Sequence, residues 1–528
     1  MKLPVGIQSF KKIRTDNFLY VDKKENVYQL AHNNVPYFLS RPRRFGKSLL
    51  LSTLKAYWEG RKDLFEGLKI TELEKDDPEA WQEYPVFYFD FNGVDYQIKG
   101  NLEKKLGSLL SDWEEQFKVE KNVSEEEGSG ETLPGDRFRR VLVEAYNQTG
   151  KSSVVLVDEY DKPLLDVIDD PELHEHNRNV FKGFFSVLKS CDEYLRFVLI
   201  TGVLKFHKVS IFSDLNQLRD ISLSKEYAGI CGISEEELKQ YFRDDIEKLS
   251  QAQGITDDKA IEKLKRTYDG YHFHPVGEAV YNPYSLLNCF ADGEFRSYWF
   301  STGTPSFLMK KLRETRFDPR RFTAGDIYAS ESVLSDYTGD SLDAVPLLYQ
   351  TGYLTIIDYD QESGEYTLGF PNDEVKYGFT ESLIHEYISD YGPGRGTDIF
   401  TLRRYVDKGD TDGIRRVLTA LFAGITYTRD DDPFEHYFQS VIYVVFTLLG
   451  KFVQTEMHTF SGRIDCKVET GDYIYLFEFK RDDTVEAALA QIDSKEYALP
   501  FVADDRKLIK IGVSFDSESR QLVGWQVA

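Results

Sequence analysis

Three side chains suited to metal-dependent hydrolysis lie near the C-terminal end of the chain. Asp465 falls in an apolar-alternating run at 463–468, and Glu478 and Lys480 fall in a second run at 473–480. A Gly-Asp pair between the runs predicts a turn, so together they predict a β-hairpin. Because residues two apart in a strand share a face, Glu478 and Lys480 point the same way, and strand pairing can bring Asp465 opposite them.

Two carboxylates beside one lysine form a site for a hard divalent cation. Mg²⁺ prefers oxygen ligands and keeps several waters. When bound, it can lower the pKa of a water and stabilise charge on a phosphoryl group. The lysine would position that water or offset developing charge. The same three residues would equally suit the solvated face of a surface hairpin, where charged side chains are common.

The flanking segments favour the metal site. A helix is predicted at 433–450, with Glu435 in its first turn, and another at 484–497, with Gln491 facing back. This order of elements resembles the PD-(D/E)xK nuclease superfamily over residues 430–515, although Gly-Arg-Ile-Asp replaces the Pro-Asp of the family name. The resemblance implies an α/β nuclease-like domain that uses Mg²⁺, or Mn²⁺, to cleave nucleic acid. It implies a catalytic set of Asp465, Glu478 and Lys480, metal ligands Asp465, Glu478 and Glu435, and an accessory Gln491.

A phosphate-binding pattern lies near the N-terminus. An apolar strand at 35–40 leads through a loop at 41–48 into a helix, with Gly46, Lys47 and Ser48 at the junction in P-loop order. The helix N-terminus and the loop amides favour an anion. Lys47 can reach the β- and γ-phosphates of a nucleotide, and the Ser48 hydroxyl can ligate Mg²⁺.

Two further apolar runs supply polar groups at strand ends. The run at 152–158 ends in Asp158 and Glu159, and the run at 195–202 ends at Thr201. Continuous apolar runs predict strands of a buried parallel sheet, whose ligands lie beyond the carboxyl ends. Asp158 can hold the Mg²⁺ shell, and Glu159 can orient or deprotonate the attacking water. Thr201 could sense the γ-phosphate or simply close a turn.

Several motifs together resemble the AAA-ATPase-like family, a bacterial P-loop family that often carries a PD-(D/E)xK domain at its C-terminus. The motifs are Tyr20-Val-Asp-Lys23, the segment 38–48, Val157-Asp-Glu-Tyr-Asp161, Thr201-Gly-Val203, Ile211-Phe-Ser213 and Tyr268-Asp-Gly-Tyr271. Together with the C-terminal domain, the resemblance spans nearly the whole chain. The first glycine of the general P-loop pattern is Arg41 here, which the family leads one to expect. The resemblance implies a RecA/AAA-like ATPase core with ATP and Mg²⁺ as ligands, catalytic Glu159, and nucleotide-binding residues Arg44, Gly46, Lys47, Ser48, Asp158 and Thr201, of which Ser48 and Asp158 hold the metal.

Length and charge bound the remaining possibilities. A chain of 528 residues is too long for one core and predicts two to four domains. The net charge of −24 argues against broad nonspecific affinity for nucleic acid, which depends on Lys and Arg. Residues 1–60 nevertheless hold eleven Lys and Arg against four Asp and Glu, a local excess of +7 that a nucleotide site explains.

The chain shows no targeting or membrane-spanning pattern. No run of 18 apolar residues and no signal peptide occur, and the four cysteines lack metal-site spacing. These features predict a cytoplasmic protein without a membrane partner, whose cysteines are buried free thiols.

The order of patterns predicts an α/β chain of four parts. They are a P-loop core at 1–233, a helical lid at 234–325, a winged-helix-like segment at 326–400 and the nuclease-like domain at 401–528. Ser234 and Glu237 predict a capping box at the start of the lid. Gly6, Phe10 and Tyr20 in the lead-in are candidates to border the nucleobase.

Three functions fit these observations. The first is an ATP-binding, ATP-hydrolysing protein coupled to a Mg-dependent nuclease, with a role against foreign DNA by family analogy. The second is a nucleotide-gated interaction protein whose nuclease-like domain is not catalytic. The third is an ATPase whose effector is another protein. The partners are ATP and, for the first, nucleic acid; a homo-oligomer or a protein partner is compatible with all three.

Overall fold

The protein divides into two compact units. The computed structural model describes residues 1–23, 25–33, 35–119, 133–206, 218–300, 308–309, 311–312, 321, 327–335, 343–387, 396–423, 443–446, 452–459, 462–519 and 521–528. The first unit comprises Met1–Thr302 and Ala329–Tyr366, and the second comprises Gly303–Tyr328 and Thr367–Ala528. The finer four-part division remains a prediction.

A five-stranded parallel sheet forms the centre of the first unit, in the order β2–β3–β4–β1–β5. Its strands are β1 (Tyr37–Ser40), β2 (Val86–Asp90), β3 (Ser153–Asp158), β4 (Leu195–Gly202) and β5 (Arg219–Asp220). The predicted parallel sheet is therefore confirmed. Because β4 lies between β1 and β3, the carboxyl ends of these three strands adjoin.

Helices surround this sheet, since its buried strands need apolar cover on both faces. They are α1 (Phe10–Thr15), α2 (Asn26–His32), α3 (Lys47–Trp58), α4 (Lys69–Leu73), α5 (Asn101–Gln116), α6 (Pro134–Thr149), α7 (Lys162–Leu165) and α8 (Pro171–Ser190). Aromatic rings join sheet to helices: Phe89 lies 4.9 Å from Trp113, 5.2 Å from Phe138 and 5.3 Å from Phe184, centroid to centroid. Such aromatic pairs stabilise the packing of β2 against these helices.

The described residues that follow the sheet, up to 300, are mainly helical, and the lid at 234–325 remains a prediction. A short pair, β6 (Ile233–Ser234) and β7 (Val280–Tyr281), accompanies α9 (Glu235–Tyr241), α10 (Arg243–Gln253), α11 (Asp257–Tyr268) and α12 (Pro283–Asp292). The capping box is present, because the Ser234 and Glu237 side chains each accept a backbone amide of the other. Leu238, Phe242, Leu264 and Leu286 are fully buried in the core of this segment.

A small sheet lies where the chain passes from one unit to the other. It is ordered β8–β10–β9, with β8 (Tyr328–Ser330), β9 (Thr355–Asp360) and β10 (Glu365–Gly369). The helices α13 (Glu331–Ser335) and α14 (Val345–Thr351) precede β9. A helix followed by a hairpin is the pattern from which the winged-helix-like segment was predicted.

The second unit contains a mixed five-stranded sheet in the order β11–β12–β13–β14–β15. Its strands are β11 (Phe452–Thr459), β12 (Gly462–Glu469), β13 (Tyr473–Arg481), β14 (Lys507–Asp516) and β15 (Gln521–Val527), and its helices are α15 (Asp373–Tyr387), α16 (Gly396–Lys408), α17 (Thr411–Ala423) and α18 (Val485–Ser494). Neighbouring strands are antiparallel except β13 and β14. None of the described helices of either unit is both long and apolar enough to cross a membrane.

Candidate functional site

The loop at 41–48 folds around the amine of Lys47. Gly46 has a φ of 97°, a left-handed conformation that glycine tolerates, and caps α3, whose first residue is Lys47. The Lys47 Nζ donates to the carbonyl oxygens of Arg41 at 2.8 Å and Pro42 at 3.1 Å. Burial lowers the pKa of Lys47, and the nearby carboxylates of Glu159, Asp161 and Asp158 oppose that effect.

Arg41 supports the loop from behind. Its guanidinium is 1 % exposed, donates to the carbonyls of Ser40, Ser222 and Tyr227, and lies 3.9 Å above the Phe273 ring. The Arg41 side chain thus points into the protein interior and not towards the solvent side of the loop. This contact set explains how an arginine fits where the general motif has glycine.

Two other predicted loop residues, Arg44 and Ser48, are less buried than Arg41 and Lys47. Arg44 is exposed, with its guanidinium 4.6 Å from the Tyr284 ring, and has a φ of 69°. Ser48 is half-buried in the first turn of α3. Both side chains are therefore at least partly accessible to solvent.

Asp158 and Thr201 are brought together by the order of the strands. The Thr201 hydroxyl donates to Asp158 Oδ1 at 3.1 Å, and the Tyr88 hydroxyl donates to Asp158 Oδ2 at 3.1 Å. Glu159 follows Asp158 with a φ of 50°, and burial raises the pKa of its carboxyl, while Lys47 lowers it. Lys47, Asp158, Glu159 and Thr201 thus converge at the carboxyl edge of the sheet.

Asp161 and Tyr160 hold the backbone that follows β4 at this edge of the sheet, a role that was not predicted from the sequence. Asp161 Oδ2 accepts the backbone amides of Val203 at 3.0 Å and Leu204 at 2.8 Å. The Tyr160 hydroxyl donates to the Leu204 carbonyl at 2.8 Å. Both residues belong to a motif that the family resemblance had already marked, which was the available signal.

Gly202 leaves room for these contacts of Asp161 and Tyr160, and its replacement is expected to disrupt them. A Cβ at Gly202 would lie 2.6 Å from Asp161 Oδ1 and 2.7 Å from the Tyr160 ring. Gly202→Ala should therefore lower the free energy of unfolding by about 1–3 kcal/mol, measured by denaturant titration. Gly183→Ala on α8 is the control: its Cβ would meet nothing within 4 Å, and helix propensity should add up to about 1 kcal/mol. Equal stability of the two variants would show that the contacts of Asp161 and Tyr160 do not require a glycine at position 202.

A cavity lies beside the first turns of α3. Its volume is about 100 Å³, and it is lined mainly by apolar groups, with Tyr20, Lys23, Phe45, Thr53, Cys231 and Pro283 among them. The Tyr20 hydroxyl is 3.4 Å from Thr53 Oγ1, and Lys23 Nζ donates to the Gly232 carbonyl at 2.6 Å. Of the three candidates to border the base, Tyr20 lines the cavity, and Phe10 packs on Tyr20 at 5.0 Å.

The second candidate site lies on the β12–β13 hairpin. Antiparallel pairing extends to Cys466 opposite Phe477. Beyond that point a side chain replaces the backbone partner, because Asp465 Oδ2 accepts the hydrogen bond of the Phe479 amide at 2.8 Å. Glu478 and Asp465 consequently lie close enough for the Asp465 charge to act on Glu478. The structure brings the two carboxylates together.

Glu478 is a buried carboxylate with one oxygen unsatisfied. The residue is 1 % exposed, and its Oε2 has no hydrogen-bond partner among the described residues. Burial, followed by the Asp465 charge, raises the pKa of Glu478 to about 7. An oxygen in this state costs free energy in the ion-free protein and is a suitable ligand for a cation.

Lys480 and Gln491 complete this arrangement. Lys480 Nζ donates to Gln491 Oε1 at 2.6 Å and lies 3.3 Å from Glu478 Oε1. Gln491 belongs to α18, which begins with a Thr484 cap and packs on β13 and β14. Gly512 on β14 permits that packing, since a Cβ there would lie 2.7 Å from the Val485 carbonyl. Glu435, the further predicted metal ligand, lies outside the described residues.

The raised pKa of Glu478 predicts a pH-dependent stability. The folded carboxyl titrates near pH 7, whereas the unfolded one titrates near pH 4.3, so its stabilising effect is complete below pH 4.3 and lost as pH rises through about 7. Glu478→Gln does not titrate. Without metal, the variant should therefore gain up to about 3 kcal/mol over the wild type between pH 5 and 8.

Hydrogen exchange at the β13 amides, compared between variant and wild type at each pH in EDTA, measures this gain. Asp472→Asn, at an exposed position in the hairpin turn, is the control and should show none. If Glu478→Gln exceeded the wild type in stability by the same amount at pH 5 and pH 8, the raised pKa of Glu478 would be refuted.

Taken together, the two folds define a class. The first unit has a P-loop-like α/β fold around a parallel sheet, and the second contains a mixed sheet that brings Asp465, Glu478 and Lys480 together. Family comparison agrees: residues 4–212 match the family described as "Predicted AAA-ATPase", and residues 433–525 match the PD-(D/E)XK nuclease superfamily.

A full-length relative is similar to the chain throughout. It is a protein of Azotobacter chroococcum mcd 1 described as "Uncharacterized protein in vnfD 5'region", 36% identical over 542 residues that cover 100% of this chain and 98% of the relative. The chain belongs to the AAA-ATPase-like family and carries a C-terminal domain of the PD-(D/E)XK nuclease superfamily.

Proposed function

We propose that the protein binds ATP with Mg²⁺ at the loop 41–48 and couples its nucleotide state to a metal-dependent nuclease in the second unit. The observation that carries the nuclease is the pairing of Asp465 with buried Glu478, whose Oε2 has no hydrogen-bond partner among the described residues. A carboxylate kept in that state is costly unless a ligand uses it.

The nucleotide site has the groups that ATP needs. Lys47 exchanges its two carbonyl acceptors for phosphate oxygens, which offer more favourable charge. Ser48 and Asp158 would hold Mg²⁺, which neutralises phosphate charge when bound. Glu159 would orient or deprotonate the attacking water, and Thr201 holds Asp158 in place. The cavity beside α3 would receive the base, because it is apolar and adjoins Gly46.

The nuclease site has a division of labour among its side chains. Asp465 and Glu478 would hold Mg²⁺ or Mn²⁺, which supplies Lewis acidity and an activated water when bound. Lys480, fixed by Gln491, is placed to offset charge that develops on the phosphate. The Phe479 amide fixes the Asp465 carboxylate, so the pair is set before substrate arrives.

Nucleic acid is the proposed substrate, since this residue set acts on phosphodiesters in the superfamily. A cytoplasmic role against foreign DNA would suit a nuclease under nucleotide control, and the four free, buried cysteines suit a reducing compartment. With a net charge of −24, the chain would need a local basic surface to hold a polyanion.

That acidic balance favours a second candidate. In it, the nucleotide state controls binding to another protein, and the nuclease-like domain serves as a non-catalytic module. The two candidates differ in one outcome, since only the first requires chemistry at Asp465.

Incubation of supercoiled plasmid, single-stranded DNA and RNA with the wild type tests the proposal. Each substrate is tried with Mg²⁺, Mn²⁺ or EDTA, with and without ATP, beside Asp465→Ala. We expect metal-dependent products from the wild type alone. Identical product patterns from both proteins would reject the nuclease and leave the interaction protein.

A further inference from the structure

A third group of ligating side chains lies in the first unit, on neither site described above. His32 ends α2, Glu74 follows α4, and Asp77 lies in the turn after it. The His32 Nε2 is 3.4 Å from Asp77 Oδ2 and 3.7 Å from Glu74 Oε1. One ligand atom from each residue lies within 4.8 Å of the other two, a spacing that a single ion can span.

The imidazole of His32 is held in the orientation that a metal ligand needs. Its Nδ1 is 2.9 Å from the Tyr28 carbonyl, which can only accept, so Nδ1 carries a proton and donates. The ring also stacks on Tyr28 with centroids 4.0 Å apart. Anchoring of one ring nitrogen by a carbonyl is the usual support for metal ligation through the other. Nε2 therefore faces the two carboxylates.

Glu74 supplies an independent sign that something belongs here. The residue is 2 % exposed; its Oε1 accepts the Tyr57 hydroxyl at 2.7 Å, but its Oε2 has no hydrogen-bond partner among the described residues. An orphaned oxygen in the interior destabilises the fold unless a partner satisfies it.

The charges match a divalent cation. Two carboxylates and a neutral imidazole carry a charge of −2, which one such ion neutralises. Asp77 keeps its position because Oδ1 accepts the Glu79 amide at 2.8 Å. Arg196 is a further charged group that acts on Asp77. Side-chain exposures of 30 % for His32 and 35 % for Asp77 leave room for water to complete the coordination.

We propose that His32, Glu74 and Asp77 form a binding site for a divalent transition metal of the Zn²⁺ type. An imidazole ligand selects against Mg²⁺ and Ca²⁺, which prefer oxygen alone, and suits Zn²⁺ or Co²⁺. The bound ion ties the end of α2 to the segment after α4. Because Tyr57 of α3 donates to Glu74, the ion also supports the far end of the helix that begins at Lys47.

Titration of the metal-free, full-length protein with Co²⁺ tests this site. The background variant Asp465→Asn/Glu478→Gln without nucleotide removes competition from the nuclease site. We expect visible Co²⁺ absorption with one equivalent bound, displaced by Zn²⁺. His32→Ala should weaken binding at least about 100-fold, because loss of a direct ligand exceeds the loss of a group that only orients one.

His176→Ala is the matched control. His176 Nε2 lies 2.6 Å from Glu103 Oε1, an ion pair of similar exposure that has one carboxylate instead of two. Its replacement should leave Co²⁺ binding unchanged. Glu74→Gln retains the side-chain shape and should weaken binding as His32→Ala does. Equal binding by background and His32→Ala proteins, or no binding by the background protein, would show that the three residues form an ordinary ion pair and would overturn the proposal.

Discussion

Lys47→Ala is expected to abolish tight ATP binding. The Lys47 amine is buried at the N-terminus of α3, where it donates to the Arg41 and Pro42 carbonyls. It can exchange both of these hydrogen bonds for bonds to phosphate oxygens. A charged hydrogen bond contributes about 1.5–3 kcal/mol, so loss of two should cost at least about 3 kcal/mol, or roughly 100-fold in affinity. Calorimetric titration with Mg-ATP measures the change.

Lys55→Ala separates this effect from a general loss of charge. Lys55 lies on the same helix, but its side chain is 43% exposed and its amine is 3.8 Å from Glu59. An exposed pair of this kind contributes at most about 0.5 kcal/mol, so ATP affinity should stay within about twofold. Undiminished affinity of a folded Lys47→Ala protein would refute the assigned phosphate loop.

Glu478→Gln is expected to lower nuclease activity by at least about 10³-fold. The amide keeps the shape of the side chain but cannot supply the negative oxygen that a cation requires, and the metal contributes several kcal/mol to the transition state. The same variant should be more stable than the wild type above pH 7, because it removes a buried carboxylate whose pKa is about 7. Activity and stability should therefore change in opposite directions.

Initial cleavage rates at saturating Mn²⁺ measure the loss. Asp472→Asn removes a carboxylate from the exposed turn of the same hairpin and should retain full activity. If Glu478→Gln retained activity while Asp465→Ala lost it, Glu478 would not be a ligand of the catalytic metal.

Much of the geometry of the two candidate sites was predictable because periodicity fixes it. Alternation of apolar residues and a Gly-Asp turn predicted the β12–β13 hairpin, and the strand period placed Glu478 and Lys480 on one face. Continuous apolar runs likewise predicted β1, β3 and β4, and the polar groups at their ends meet because parallel strands finish at one edge.

The features that were not predicted depend on contacts between distant segments. No local pattern indicates that Arg41 turns inward to the carbonyls of Ser222 and Tyr227, or that Asp161 accepts the amides after Gly202. The two-residue strand β5 is too short for any periodicity. His32 and Glu74 stand 42 positions apart, so only the folded chain reveals that they are neighbours.

A crystal of the protein soaked in Mn²⁺, with anomalous scattering recorded at the manganese edge, tests whether Asp465 and Glu478 share a metal ion. We expect an anomalous peak between the Asp465 and Glu478 carboxylates, within about 2.4 Å of an oxygen from each. An empty map at that position, with both side chains ordered, would contradict it.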